Sequence, residues 1–167
     1  MDNTSHTGST KFVTFVLDRE MYALDIEQVR EVLEFNNLTK VPGTPPFVRG
    51  VINLRGNVVP VVDLRLKFGM SKTERTVNSR IIIVEISVDG EGTTVGALAD
   101  SVREVLELDH DQIGAPPKIG TRLRTEFIRG MGKQDGEFII ILDIDRVFSE
   151  NELAVVQALE EVEEGVS

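Results

Sequence analysis

The chain has no cysteine and no tryptophan, and a single tyrosine and two histidines among 167 residues. Without cysteine, neither a disulfide framework nor a thiolate metal site is available, which fits a reducing interior. His6 lies in a polar tail and His110 in a polar loop; no cysteine or paired histidine accompanies either, so both read as solvated side chains. One tyrosine and no tryptophan leave little for bases or sugars to stack on. No window approaches the roughly 20 apolar residues of a membrane span. The polar stretch Met1–Thr10 has no apolar core of a signal peptide. Basic residues are also scarce, 18 against 28 acidic, and the net charge of −10 repels phosphate backbones. No phosphate-loop lysine motif or dinucleotide glycine fingerprint occurs, since Gly90 and Gly92 sit in a hairpin and not before a helix. These absences point to a cytoplasmic protein without cofactor, metal, nucleic-acid partner or membrane insertion.

What is present is repetition. Phe47-Val48-Arg49-Gly50 returns as Phe127-Ile128-Arg129-Gly130, and from there a constant offset (47 to 127) places Gly56 on Gly136, Asp63 on Asp143 and Phe68 on Phe148. Upstream, Val29-Arg30-Glu31-Val32-Leu33-Glu34 recurs letter for letter from Val102 to Glu107. Two echoes in the same order indicate a duplicated unit.

Short β-branched and apolar runs separated by turn residues fill both copies. Phe12–Leu17 and Met21–Leu24 form a hairpin around Asp18-Arg19-Glu20. Asp25 to Gln28 has the spacing of a capping box, predicting a short helix that passes into a strand, with Ile26, Val29, Val32 and Leu33 on one face. The proline-rich Val41–Pro46 is a loop. Val48–Leu54 and Val58–Val62 follow as strands joined at Arg55-Gly56-Asn57, where positive φ is expected; the copy turns at Asp135-Gly136. Pro60 lacks an amide donor, so its strand is expected at a sheet edge or bulge. The second unit opens with Arg80–Ile86, turns at Asp89–Gly92, returns as Thr94–Leu98, and has its connecting loop at Pro116-Pro117. A second capping box, Ser149 to Glu152, starts a helix with Leu153, Val156 and Leu159 inward and the acidic run Glu160, Glu161, Glu163 and Glu164 solvated. Two small antiparallel barrels related by duplication are the economical architecture. The expected boundaries are a disordered tail over 1–10, one domain over 11–148 with units at about 11–70 and 80–148, and an acidic helix over 149–167.

Two functional readings compete. Asp63 and Asp143, one from each unit, invite an aspartate-dyad hydrolase sharing a proton across a pseudo-dyad. Leu64 and Ile144 follow them, however, where such sites carry a small hydroxyl and glycine, and the plainer reading is that each aspartate caps the turn after its strand. The other reading is binding. The hairpin tip Asn53-Leu54-Arg55 diverges to Lys133-Gln134-Asp135 in the copy, and an arginine on a tight turn suits an interface anchor. Val29, Val32 and Leu33 are core or one wall of a groove between the units.

The run Gly50-Val51-Ile52-Asn53-Leu54-Arg55-Gly56, the following Pro60-Val61-Val62-Asp63-Leu64-Arg65, the preceding Val41-Pro42 and Pro45, and the later hairpin from Gly130-Met131-Gly132 to Asp143 resemble the CheW family of chemotaxis coupling proteins. The likeness spans Phe12 to about Leu159, and its motif also occurs in CheV and in the regulatory domain of the kinase CheA. It implies a mainly β fold of two five-stranded SH3-like barrels with short helices. It implies a non-catalytic adaptor that joins the cytoplasmic tip of chemoreceptors to CheA at receptor arrays. By motif it assigns contact roles to Val29, Glu31, Val32, Gly50, Asn53, Leu54 and Arg55.

Overall fold

The computed structural model describes residues 8–88, 90–115 and 124–160. His6, Asp89, Pro116-Pro117 and the acidic end from 161 onward lie outside those residues. Among the described residues ten strands occur: β1 (Ser9–Leu17), β2 (Glu20–Asp25), β3 (Val29–Glu34), β4 (Val48–Leu54), β5 (Asn57–Asp63), β6 (Arg80–Val88), β7 (Glu91–Ala99), β8 (Ser101–Asp109), β9 (Ile128–Gln134) and β10 (Glu137–Leu142). The first strand starts earlier than expected, because Ser9 and Thr10 pair with Asp109 and Leu108 and take up backbone that a disordered tail would leave to water. A short helix, Leu64–Lys67, follows β5, and the C-terminal helix covers Glu150–Glu160.

The strands form two five-stranded sheets with orders β8-β1-β2-β10-β9 and β3-β6-β7-β5-β4. Advancing each number of the second order by five, cyclically, gives the first, so the duplication is complete at the level of topology. Its boundaries are not those of the sequence units. The hairpin β1–β2 completes the sheet built by β8, β9 and β10, and β6–β7 completes the one built by β3, β4 and β5. Barrels at about 11–70 and 80–148 are therefore corrected to barrels that exchange hairpins. Repetition in the chain is blind to this, since a hairpin satisfies its own internal ladder wherever it docks.

The exchange explains the apolar runs. On β6, Ile81 and Ile83 fill the barrel interior with Phe35, Val59, Val61 and Leu98. Ile82, Val84 and Ile86 face the other way, into a core shared by both barrels. A strand buried on both faces needs a continuous rather than an alternating apolar run. The other barrel has its own interior of Phe12, Ala23, Leu108, Ile139 and Ile141. In the shared core the repeats cross: Phe47 meets Phe148 in a tilted contact at 5.7 Å and Phe68 meets Phe127 likewise at 5.9 Å, the latter continuing through stacked contacts to Tyr22 and Phe15. Val156 and Leu159 of the C-terminal helix join this core, with Leu153 half-buried beside them. Its capping box is formed: Ser149 N–H donates to Glu152 Oε1 at 2.8 Å and Glu152 N–H to Ser149 Oγ at 3.2 Å. Burial works to raise the Glu152 pKa, but the Ser149 N–H and the Lys67 ammonium outweigh it and hold the carboxyl below its ordinary value.

The expected short helix passing into a strand is present: Asp25 accepts from Glu27 N–H at 2.9 Å, and the 3-10 turn Ile26–Gln28 leads directly into β3. Two details differ. Gln28 does not close a capping box; it reaches Asp145 at 3.3 Å. And Pro60 lies on an internal strand, β5 running between β7 and β4. The parallel ladder to β7 begins only at Val61, so the missing N–H of Pro60 costs no hydrogen bond there.

Candidate functional site

The tip of the β4–β5 hairpin is a two-residue turn in which Arg55 (φ +51) and Gly56 (φ +89) both have positive φ. The twin turn uses Asp135 (φ +55) and Gly136 (φ +83). Aspartate enters this region readily, whereas a long side chain does so at a cost, and such strain gathers where a group is held for a purpose. Asn53 supports the turn by accepting the Gly56 N–H at 2.9 Å. Asn57, expected within the turn, is already the first residue of β5.

Arg55 projects with its side chain 69% exposed and pairs with Glu31 on β3, so the ion pair straps the mouth of the barrel. The hydrogen bond from Arg55, aided by its charge, holds the Glu31 carboxyl below its ordinary pKa, and Glu31 in turn raises that of Arg55. Around the strap lies an open depression of about 480 Å³ lined by Arg30, Glu31, Leu54, Arg55, Gly56, Asn57, Val58, Val59, Ile83 and Thr94.

Glu31 reaches that mouth because β3 is bulged. Val29 pairs with Val84, but Glu31 pairs with Ile83, so Arg30 is the extra residue. The bulge turns Val29 and Val32 onto one face, although three residues apart on a regular strand would oppose them. Val29 packs half-buried on the shared core and Val32 stands 40% exposed. Leu33 does not join them, as the helical spacing proposed; it packs into the barrel interior. The copy bulges at the same place, presenting Val102 half-buried and Val105 54% exposed. There Thr14 closes the bulge, its hydroxyl donating to Glu104 C=O at 2.7 Å and accepting Glu104 N–H at 3.0 Å. Arg30, which pairs with Glu85, and the twin valines were not singled out from sequence, although the letter-for-letter repeat marked them.

Gly50 lies where the chain crosses itself closely. Its φ is +153, and an added Cβ would lie 2.6 Å from Thr39 C=O, because the connection at Thr39 bridges to Val51 across it. Gly130 is its twin: a Cβ there would lie 2.5 Å from Ile113 Cγ2, beside the Gly114–Met131 bridge.

The two aspartates are engaged separately. Asp63 is fully buried and accepts from Arg49 Nη1 at 2.7 Å, Thr73 N–H at 2.9 Å, Thr73 Oγ1 at 2.8 Å and Leu66 N–H at 3.3 Å. It thus caps the following turn, as expected, and anchors the loop toward β6. Asp143 makes no side-chain cap and lies 3.5 Å from Arg146, while Arg129, the twin of Arg49, pairs with Asp25 at 3.0 Å. Nothing in these partners shares a proton between the two. Among the described residues no group of histidine, aspartate or glutamate side chains has the arrangement of a metal site, and no helix is long and apolar enough to cross a membrane.

Residues 11–152 match the model of the CheW-like domain. The chain belongs to the CheW family. It is 34% identical to the chemotaxis protein CheW of Klebsiella aerogenes over 90% of this chain and 88% of that one. To the CheW of Thermotoga maritima it is 37% identical, over 83% and 87% of the two chains. The solved structure of the scaffolding protein TtCheW from Thermoanaerobacter tengcongensis superposes with a TM-score of 0.76 at 42% identity, covering 86% of this chain and 90% of that one. The two-barrel reading of the sequence therefore holds, with the hairpin exchange added.

Proposed function

We propose that this chain is a non-catalytic adaptor that couples the cytoplasmic tips of transmembrane chemoreceptors to the regulatory domain of the histidine kinase CheA. The observation that carries the reading is the strained, exposed Arg55 strapped to Glu31 beside the bulge-presented Val29 and Val32. Such a tip offers a desolvable cation next to an apolar strip, the composition of an interface anchor. Val29, Glu31 and Val32 contribute the strand side of the surface; Asn53, Leu54 and Arg55 contribute the hairpin side, and Gly50 keeps the crossing loop close. The protein acts in the cytoplasm, recruited to receptor arrays.

The mechanism is geometric. Holding a receptor tip and a kinase domain on one rigid body raises their effective concentration and fixes their relative pose. Receptor state then shifts the kinase equilibrium through contacts that differ between states. Co-sedimentation with receptor-containing membranes, with and without CheA, tests this. Arg55→Glu is expected to abolish the ternary sediment while leaving the melting temperature nearly unchanged, since an exposed ion pair adds little to stability. A variant that still co-sediments with both partners would overturn the assignment.

A further inference from the structure

Residues 64–80, which join the two repeats, carry Arg65, Lys67, Lys72, Arg75 and Arg80 against Glu74 alone, in a chain of net charge −10. Arg65 and Lys67 pair with Asp100 and Glu152. Arg75 and Arg80 pair with no carboxylate among the described residues, and neutral acceptors hold them instead. Arg75 Nη1 donates to Asn37 Oδ1 at 2.5 Å, and Arg80 Nη1 donates to Val77 C=O at 2.9 Å and to Ser79 C=O at 2.8 Å. The loop that supplies those carbonyls is itself braced. Buried Ser79 donates through Oγ to Glu74 C=O at 2.7 Å and accepts Thr76 N–H at 2.8 Å. Glu34 stands directly opposite Arg80 in the β3–β6 ladder, yet the guanidinium turns to the loop carbonyls and no ion pair forms. Both arginines line one open depression of about 420 Å³, together with Asn36, whose side-chain amide makes no hydrogen bond among the described residues.

We propose that this depression is an oxyanion site that takes a phosphate dianion, free or as a monoester. With Nη1 of each arginine engaged, Nη2 and Nε of both remain to donate, and Asn36 adds an amide donor. A carboxylate offers two oxygens and a single charge, which one guanidinium fork satisfies. A phosphate offers three terminal oxygens and up to two charges, which match two forks. Tying Nη1 to the braced loop and to Asn37 also fixes each fork before a ligand arrives, so less side-chain freedom is lost on binding. Glu34, on the same rim, opposes an anion and keeps the affinity modest, with dissociation constants of about 1–10 mM. None of these residues lines the Arg55 depression, and the site stands or falls independently of the adaptor reading.

The test uses the full chain, isotopically labelled, at about pH 7.5, where a phosphomonoester is mostly dianionic. Inorganic phosphate, O-phosphoserine and acetate are titrated separately, with sodium chloride holding the ionic strength constant. Guanidinium and amide signals of Arg75, Arg80 and Asn36 are expected to move saturably with both phosphates, half-saturating at about 10 mM or below, and far less with acetate. Tighter binding of O-phosphoserine assigns the site to a monoester, and tighter binding of inorganic phosphate assigns it to the free ion. Arg80→Lys keeps the charge but removes the fork, so phosphate is expected to weaken severalfold, while Glu34→Gln is expected to tighten it. Arg75→Lys, at an exposed position, makes the same comparison if Arg80→Lys loses its dispersed spectrum. The proposal is overturned by an absence of saturable movement with either phosphate, by acetate binding as tightly as phosphate, or by undiminished phosphate affinity in the lysine variants.

Discussion

Removing the Asp63 carboxylate with Asp63→Ala is expected to be the most damaging single polar substitution in the molecule. The side chain is inaccessible and accepts four hydrogen bonds, one from a guanidinium and two from Thr73. Breaking a buried ion pair from one side leaves an uncompensated charge and costs about 3–5 kcal/mol. Arg49 retains 22% side-chain exposure and its 2.9 Å bond to Thr73 C=O, which favours the lower end, about 3 kcal/mol. At roughly 2–4 °C per kcal/mol for a domain of this size, melting should fall by about 6–12 °C. Urea unfolding followed by circular dichroism gives the free energy directly. Replacing both partners, Asp63→Leu with Arg49→Met, should recover much of the loss, because no buried charge is then orphaned. A loss below about 1 kcal/mol for Asp63→Ala, no more than that of an average point substitution, would refute the anchoring role.

Gly50→Ala should destabilise by roughly 2 kcal/mol or more, since both φ and the Thr39 carbonyl oppose a Cβ, whereas Gly56→Ala, with open space around it, should cost about 1 kcal/mol; equal melting temperatures for the two variants would contradict this ordering. Arg55→Asn relieves the left-handed strain and should raise the melting temperature slightly while weakening receptor–kinase assembly; a lower melting temperature would show the arginine to be structural. Because Glu31 has its pKa depressed in the folded chain, the stabilisation from its pair with Arg55 is present above the unfolded glutamate value and is lost as pH falls through the lower folded one. Carboxyl-detected NMR should place the Glu31 midpoint below that of Glu31 in the Arg55→Gln variant, and coincident midpoints would dismiss the strap. Finally, fragments 1–79 and 80–167 should each remain unfolded alone and fold on mixing; a dispersed amide spectrum from either one separately would contradict the exchanged hairpins.

The turns and the core were legible because their causes are local. Gly56 and Gly136 announce positive φ, and the continuous apolar run from Ile81 to Val84 announces a strand, whose burial on both faces only the structure shows. The path of β3 was not, because a bulge at Arg30 gives the strand a three-residue recurrence that imitates a helix. The internal place of Pro60 was hidden as well: the extent of a ladder to β7 is a property of the partner strand. Of the site, the hairpin side was readable from the divergence of the two tips. The pairing of Arg55 with Glu31 was not, since it joins residues 24 apart across the barrel mouth.

The exchange of hairpins also sets an order of events during synthesis. The β1–β2 hairpin leaves the ribosome ahead of the other strands, yet its permanent neighbours on either side, β8 and β10, are translated after both β6 and β7. Until then Phe12, Phe15 and Tyr22 have no lasting shelter, and nascent chains stalled between residues 25 and 142 should be the ones that chaperones hold.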